Sequence, residues 1–269
     1  MRTPLLLFTA VGLVAAMVYG GVQLASFYKA AAAPYPIAAL PPGTAEMNIY
    51  FVGNSYTSEN DLPRLLRAIA ADAQSPVDIE TGQDTPGGQR LVDSWGDDQA
   101  RNILRDNHWD YVVLQEQSLM AMQSDDQDVT NAGFQQWGQG IHAVGAMPVV
   151  FETWARQPGS AAYTGPDATA NNLTDASTMQ AQIDYVLGNA ASAIGAIPVP
   201  VGDVWMRCET QPGTPALYES DNSHPSLAGT YLAAMLFYRI LTGHSPASSN
   251  FVPNGLDPAT AQLLRACAS

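Results

Sequence analysis

Four short segments carry residue types that can do chemistry together: Gly53-Asn54-Ser55-Tyr56-Thr57, Thr85-Pro86-Gly87-Gly88-Gln89, Gln115-Glu116-Gln117-Ser118 and Asp221-Asn222-Ser223-His224-Pro225. Singly, each has an ordinary explanation. A Ser after an apolar run turns the chain or caps a helix, a Gly pair bends it, and Asp-x-x-His before Pro starts a helix. Jointly they supply one candidate for each part of an acyl-transfer site. Ser55 is the nucleophile, and His224 is the base that takes its proton. Asp221 holds the imidazole in the right tautomer and stabilises the cation that forms. Gly88 lets a backbone N–H approach a substrate closely, and the Gln117 amide offers a donor to a developing oxyanion. On this reading activity rises with pH as the imidazole sheds its proton, because only the neutral ring acts as a base.

The elements between these segments alternate. Apolar runs at 47–52 (MNIYFV), 77–80, 111–114 (YVVL), 147–151 (MPVVF) and 197–201 (IPVPV) read as strands. Helices are expected over 61–73, 95–106, 130–144, 175–194, 225–241 and 258–266. Strands separated by helix-length segments call for an α/β protein whose parallel sheet is covered on both faces. Ligands of such sheets gather at the carboxyl ends of the strands, where the first three segments lie. No internal repeat is present.

This combination resembles the SGNH (GDSL-like) hydrolase superfamily over about residues 47–241. Gly53-Asn54-Ser55-Tyr56-Thr57 matches its first block, with Asn54 where many members have Asp, and Asp221 with His224 matches its last. The stretches YVVLQEQS (111–118), TWAR (153–156) and HPSLAGTYLAA (224–234) look like an uncharacterised bacterial branch of it. The third block departs: the family's Gly-x-Asn-Asp is replaced by Gln115-Glu116-Gln117-Ser118, so its oxyanion-hole Asn is missing. The resemblance implies a three-layer α/β/α sandwich around about five parallel strands, with an oxyanion hole from Ser55, Gly88 and Gln117. Gln115 is the second candidate for that amide, and Gly87 for the Gly. The implied activity is serine ester hydrolysis without metal or other cofactor. Two alternatives stay open: a binding protein that keeps the fold without turnover, and acyl transfer to a sugar hydroxyl.

Other chemistries fit poorly. An α/β-hydrolase elbow would need Gly where Thr57 stands, and its acid and His are usually far apart in sequence. No His-Glu-x-x-His occurs, and Asp125, Asp126 and Asp128 lack the Gly and terminal Glu of a calcium loop. The cysteines Cys208 and Cys267 have no metal-motif spacing; they are either one disulfide or two thiols. His108, His142 and His244 read as structural or surface residues. With 11 Lys+Arg against 25 Asp+Glu the net charge is −14, which repels phosphate backbones and anionic lipid and favours a neutral substrate.

The 269-residue chain divides into an N-terminal segment 1–33, a Pro-rich spacer 34–45 and a hydrolase domain 46–269. Arg2, an apolar stretch over 5–28 and the run Ala30-Ala31-Ala32-Ala33 make a secretory signal, cleaved or kept as a membrane anchor. Either way the domain is expected outside the cytoplasm, with no membrane contact except through that segment. The expected substrate is a short acyl ester, acetyl above all, on carbohydrate. The loops after the strands are small and polar, and Trp154 and Trp205, just past the fourth and fifth strands, are placed to stack on a sugar ring.

Overall fold

A computed structural model of the chain describes residues 40, 43–119 and 126–269. The leader over 1–33 and most of the spacer lie outside the described residues, as does Asp125. Among the described residues no helix is long and apolar enough to cross a membrane.

In chain order the elements are β1 (Ala45–Val52), α1 (Ser55–Ser58), α2 (Leu62–Asp72), β2 (Val77–Asp84), α3 (Leu91–Gly96), α4 (Asp98–Asp106), β3 (Tyr111–Leu114), α5 (Gln127–Ala143), β4 (Met147–Glu152), α6 (Pro166–Ala170), α7 (Ala176–Ile194), β5 (Ile197–Pro200), α8 (Val201–Glu209), α9 (Leu227–Thr242) and α10 (Pro258–Ala268). The five strands form one sheet in the order β2-β1-β3-β4-β5, every pairing parallel. This is a doubly wound α/β sandwich with the flavodoxin-like strand order.

Strand periodicity explains the two cores. Successive side chains point to opposite faces. Ile49, Phe51, Val113, Val149 and Phe151 therefore pack on one side with α2, α9 and α10. Their neighbours Tyr50, Val52, Val112, Leu114 and Val150 pack on the other with α3, α5 and α7. The central strands are buried on both faces, hence their unbroken apolar runs. β2 is an edge strand, so its outer half (ETGQD) stays polar and it extends four residues past the expected end.

Besides the short α1 and α6, which were not expected, the helices differ from expectation at two places. The single helix expected over 95–106 is α3 and α4, separated at Asp97, whose carboxylate accepts the Gln99 N–H (2.8 Å) and caps α4. α8 starts directly after β5 at Pro200 with no side-chain cap, so no start signal marks it. Cys208 on α8 is disulfide-bonded to Cys267 on α10, their Cα atoms 5.5 Å apart. That bond ties the C-terminal helix to the helix that follows the last strand.

Candidate active site

The nucleophile turn is built around one buried amide. Gln115, fully buried at the end of β3, accepts the Asn54 N–H (3.0 Å) and the Thr57 hydroxyl (3.0 Å) on its Oε1. Its Nε2 donates to the Glu116 carbonyl. Gly53 is required by this approach, because a Cβ there would stand 2.7 Å from Gln115 Oε1 and 2.9 Å from its Cβ. Asn54 caps the short α1 by accepting the Tyr56 N–H (3.1 Å), and its Nδ2 donates to the Gln89 carbonyl (3.0 Å). Ser55 is the first residue of α1, just past the carboxyl end of β1.

The acid and base sit on a loop pinned at both ends. Ser226 N–H donates to Leu217 O (2.8 Å) and Glu219 N–H to His224 O (2.8 Å), closing the turn with Asn222 at φ 60°. Asp221 Oδ1 accepts the N–H groups of Ser223 (3.0 Å) and His224 (2.9 Å), and its Oδ2 lies 2.5 Å from His224 Nδ1. His224 Nε2 lies 2.9 Å from Ser55 Oγ. Partial burial acts to raise the Asp221 pKa. The hydrogen bonds from the imidazole and the two amides outweigh it and hold the carboxyl below its ordinary range. The Asp221 side chain keeps 48% of its surface exposed, so the acid sits at the rim rather than in the interior.

The segment after β4 supports this loop from below. Trp154 Nε1 donates to Ser223 O (3.0 Å), and the Tyr56 hydroxyl pairs with Ser223 Oγ (2.8 Å). Tyr56, Trp154 and Trp205 form a continuous stack, with ring centroids 4.8 Å and 4.0 Å apart. Trp154 is 1% exposed and Trp205 fully buried. Neither ring offers a face to a sugar, and that expectation is corrected. Trp205 lies on the unanticipated α8, whose inner face must enter the core, and Trp154 turns inward to reach Ser223.

The side expected to supply oxyanion donors is built differently. Pro86 to Gln89 is a tight turn closed by Gln89 N–H to Pro86 O (3.2 Å), with Gly88 at φ 72°. A Cβ on Gly88 would meet nothing within 4 Å, so its backbone conformation, not close packing, calls for Gly. Neither Ser55 nor Gly88 donates its N–H to another described residue. Gln117 accepts the Leu119 N–H on Oε1 (2.8 Å), which orients its amide, while its own N–H donates to Glu116 Oε1 (2.6 Å). Gln115 is committed to the nucleophile turn and is not a donor to substrate. Glu116 is buried and also accepts the Leu91 N–H (3.2 Å), so it clamps the third block to the start of α3. Burial pushes its carboxyl up to about 7 despite those two amides.

Arg156 carried no role in the sequence reading beyond its place in TWAR. Its guanidinium reaches both sides of the site, donating to the Tyr56 hydroxyl and to Ser118 Oγ (2.9 Å). No spacing rule points to it, because its two partners lie on separate segments far from it in sequence. A cleft of about 440 Å³ lies beside the disulfide, lined by Arg207, Gln211, Pro212 and Leu263, none of which belongs to the candidate site.

No protein-family model and no curated protein matches the sequence. Solved structures do match. A protein assigned to the SGNH hydrolases from Slackia heliotrinireducens aligns at TM-score 0.58 and 24% identity, covering 73% of this chain and 99% of that one. A DUF4886 family protein from Bacteroides uniformis aligns at TM-score 0.67 and 18% identity, covering 83% and 93%. An acetylxylan esterase from Geobacillus stearothermophilus aligns at TM-score 0.53 and 14% identity, covering 74% and 95%. The chain has the fold of the SGNH hydrolase superfamily.

Proposed function

We propose that this chain is an exported serine ester hydrolase that removes short acyl groups, acetyl above all, from a polar alcohol such as a carbohydrate. The observation that carries the reading is the contact sequence Ser55 Oγ, His224 Nε2, His224 Nδ1, Asp221 Oδ2, at 2.9 and 2.5 Å. Export is supported by the leader-like N-terminus and by the disulfide, which persists in oxidising compartments. The carbohydrate half rests on the partly exposed polar residues Gln117, Ser118 and Ser223 of the flanking loops and not on the tryptophans.

Ser55 Oγ attacks the ester carbonyl as His224 Nε2 takes its proton, and Asp221 stabilises the imidazolium. The oxygen that gains charge is received by the N–H groups of Ser55 and Gly88 and by the Gln117 amide. His224 then returns the proton to the leaving alcohol oxygen, which frees the alcohol and leaves an acyl-Ser55. Water, deprotonated by His224, cleaves that ester and restores the serine.

The test is hydrolysis of p-nitrophenyl esters from acetate upward, alongside acetate release from acetylated xylan, with Ser55→Ala as control. Acetate turnover lost in the variant supports the reading. A preference for acyl chains of eight or more carbons would overturn the short-acyl assignment, and unchanged turnover in Ser55→Ala would overturn the nucleophile.

A further inference from the structure

Behind the segment that supports the acid–base loop lies a second group of carboxylates, which the proposed reaction does not use. Glu152 ends β4, Asp184 lies on α7 and Asp203 on the first turn of α8. One carboxylate oxygen from each lies within 4.8 Å of the others. Glu152 is 7% exposed and its Oε1 is buried with no hydrogen-bond partner. Asp184 is half-buried and Asp203 exposed, so the three form a well with Glu152 as floor and Asp203 at the mouth. None of them forms an ion pair with Lys or Arg among the described residues. Asp184 Oδ1 accepts from Gln180 Nε2 (2.7 Å), a neutral donor.

Three carboxylates this close, one of them buried, cannot all remain ionised without a compensating positive charge. We propose that Glu152, Asp184 and Asp203 bind one divalent cation, calcium by fit, which joins the end of β4 to α7 and α8. All-oxygen donor sets select hard cations. Three oxygens spread around one ion at the calcium distance of about 2.3–2.6 Å stand roughly 4.5 Å apart or less, which their separation admits, and calcium accepts an irregular, partly hydrated donor set where Mg²⁺ demands a near-ideal octahedron. The exposed mouth admits the water that completes the coordination. With nothing bound, burial first and then the Asp184 and Asp203 charges push Glu152 up to about 8.

The cation would brace the site without touching the reacting atoms. Gln180, which holds Asp184, also donates to Thr153 O (3.2 Å) and accepts the Ala155 N–H (2.8 Å). Trp154 between them bears on Ser223. Chelation is therefore expected to lower stability while the triad chemistry itself continues wherever the chain stays folded.

The experiment uses the purified chain, stripped with chelator and held at constant ionic strength with NaCl. Calcium is titrated by calorimetry and in thermal melts. The expected result is a saturable one-site heat and a Tm rise of roughly 5 °C at calcium a hundredfold above Kd. Asp184→Asn and Asp203→Asn should each fold and lose both responses. No saturable heat with calcium overturns the proposal, as does an equal response in the two variants, which would mark general screening of the acidic surface. Tighter binding of Mg²⁺ or Mn²⁺ than of calcium overturns the assignment to calcium.

Discussion

The two sides of the candidate site are supported in opposite ways. Asn54, Tyr56 and Thr57 of the nucleophile turn are buried, and Gln115, Trp154 and Tyr56 fix that turn and the Ser223–His224 segment from within the core. The opposite side, Gly88 and Gln117, stands on exposed or half-exposed turns held by local bonds and by the Glu116 clamp. The difference follows the chemistry. A nucleophile and its base must hold one distance through two proton transfers, which suits a rigid interior frame. Oxyanion donors need unpaired N–H groups facing substrate, and a buried wall would have to satisfy those groups itself.

The largest effect should come from the rigid side. Ser55→Ala is expected to lower kcat by about 10⁶ with the melting temperature unchanged, and Asp221→Asn by about 10⁴, because the imidazole loses its preferred tautomer. Turnover with p-nitrophenyl acetate and thermal melts check both. Esterase activity at a tenth of wild type in Ser55→Ala would remove the basis of the comparison.

Stability should separate from catalysis at the disulfide. The disulfide closes a loop of 59 residues, so Cys208→Ala/Cys267→Ala should cost about 4 kcal/mol by chain-entropy reasoning. Denaturant unfolding measures the loss, and kcat of the remaining folded protein should match wild type.

The adjacent glutamines give the sharpest contrast. Gln117→Ala should lower kcat by about 10²–10³ with little change in KM or stability, as for a donor used in the transition state. Gln115→Ala should also lower kcat, but together with about 1–3 kcal/mol of stability, since it strands the buried Asn54 N–H and Thr57 hydroxyl. If Gln117→Ala loses stability and Gln115→Ala does not, the two roles are reversed.

Much of this was legible in the sequence. The interior strands announced themselves because burial on both faces forbids polar residues, so 111–114 and 147–151 could be placed to within a residue. Ser55 and the Asp221–His224 pair, whose side chains meet in the fold, could be picked out because the proposed reaction calls for their types and a single loop sets the spacing of the last two. What escaped had no local signature. Strand β2 is polar because it is an edge, α8 lacks a capping residue, and the inward turn of Trp154 and Trp205 is set by Ser223 and Tyr56 from other loops. Gln115 and Gln117 could not be told apart by type. Only their burial separates the anchor from the candidate donor.

The smallest expected effect concerns the clamp that couples the two sides. Glu116 Oε1 accepts the Gln117 and Leu91 N–H groups, while its Oε2 is buried without a partner. Burial is the main cause of its raised pKa; the two amides and Arg90 oppose it, and Asp93 adds to it. The folded-state value of about 7 stands above the ordinary 4.5 of an unfolded glutamate carboxyl. The contribution is therefore fully present below about pH 4.5, declines as pH rises, and is lost above about pH 7. A shift of that size corresponds to about 3 kcal/mol. Glu116→Gln keeps an acceptor for the two amides and removes the titration. Unfolding free energies measured between pH 4 and pH 8 should fall in the wild type by about 3 kcal/mol more than in the variant. Both are compared at one calcium concentration, so that the Glu152 cluster contributes equally. Parallel pH profiles would mean that Glu116 is not the titrating group and that the third block is held by other contacts. A flattened profile with unchanged kcat would place the clamp in folding alone, whereas a fall in kcat above pH 7 in the wild type only would tie its charge to the alignment of Gln117.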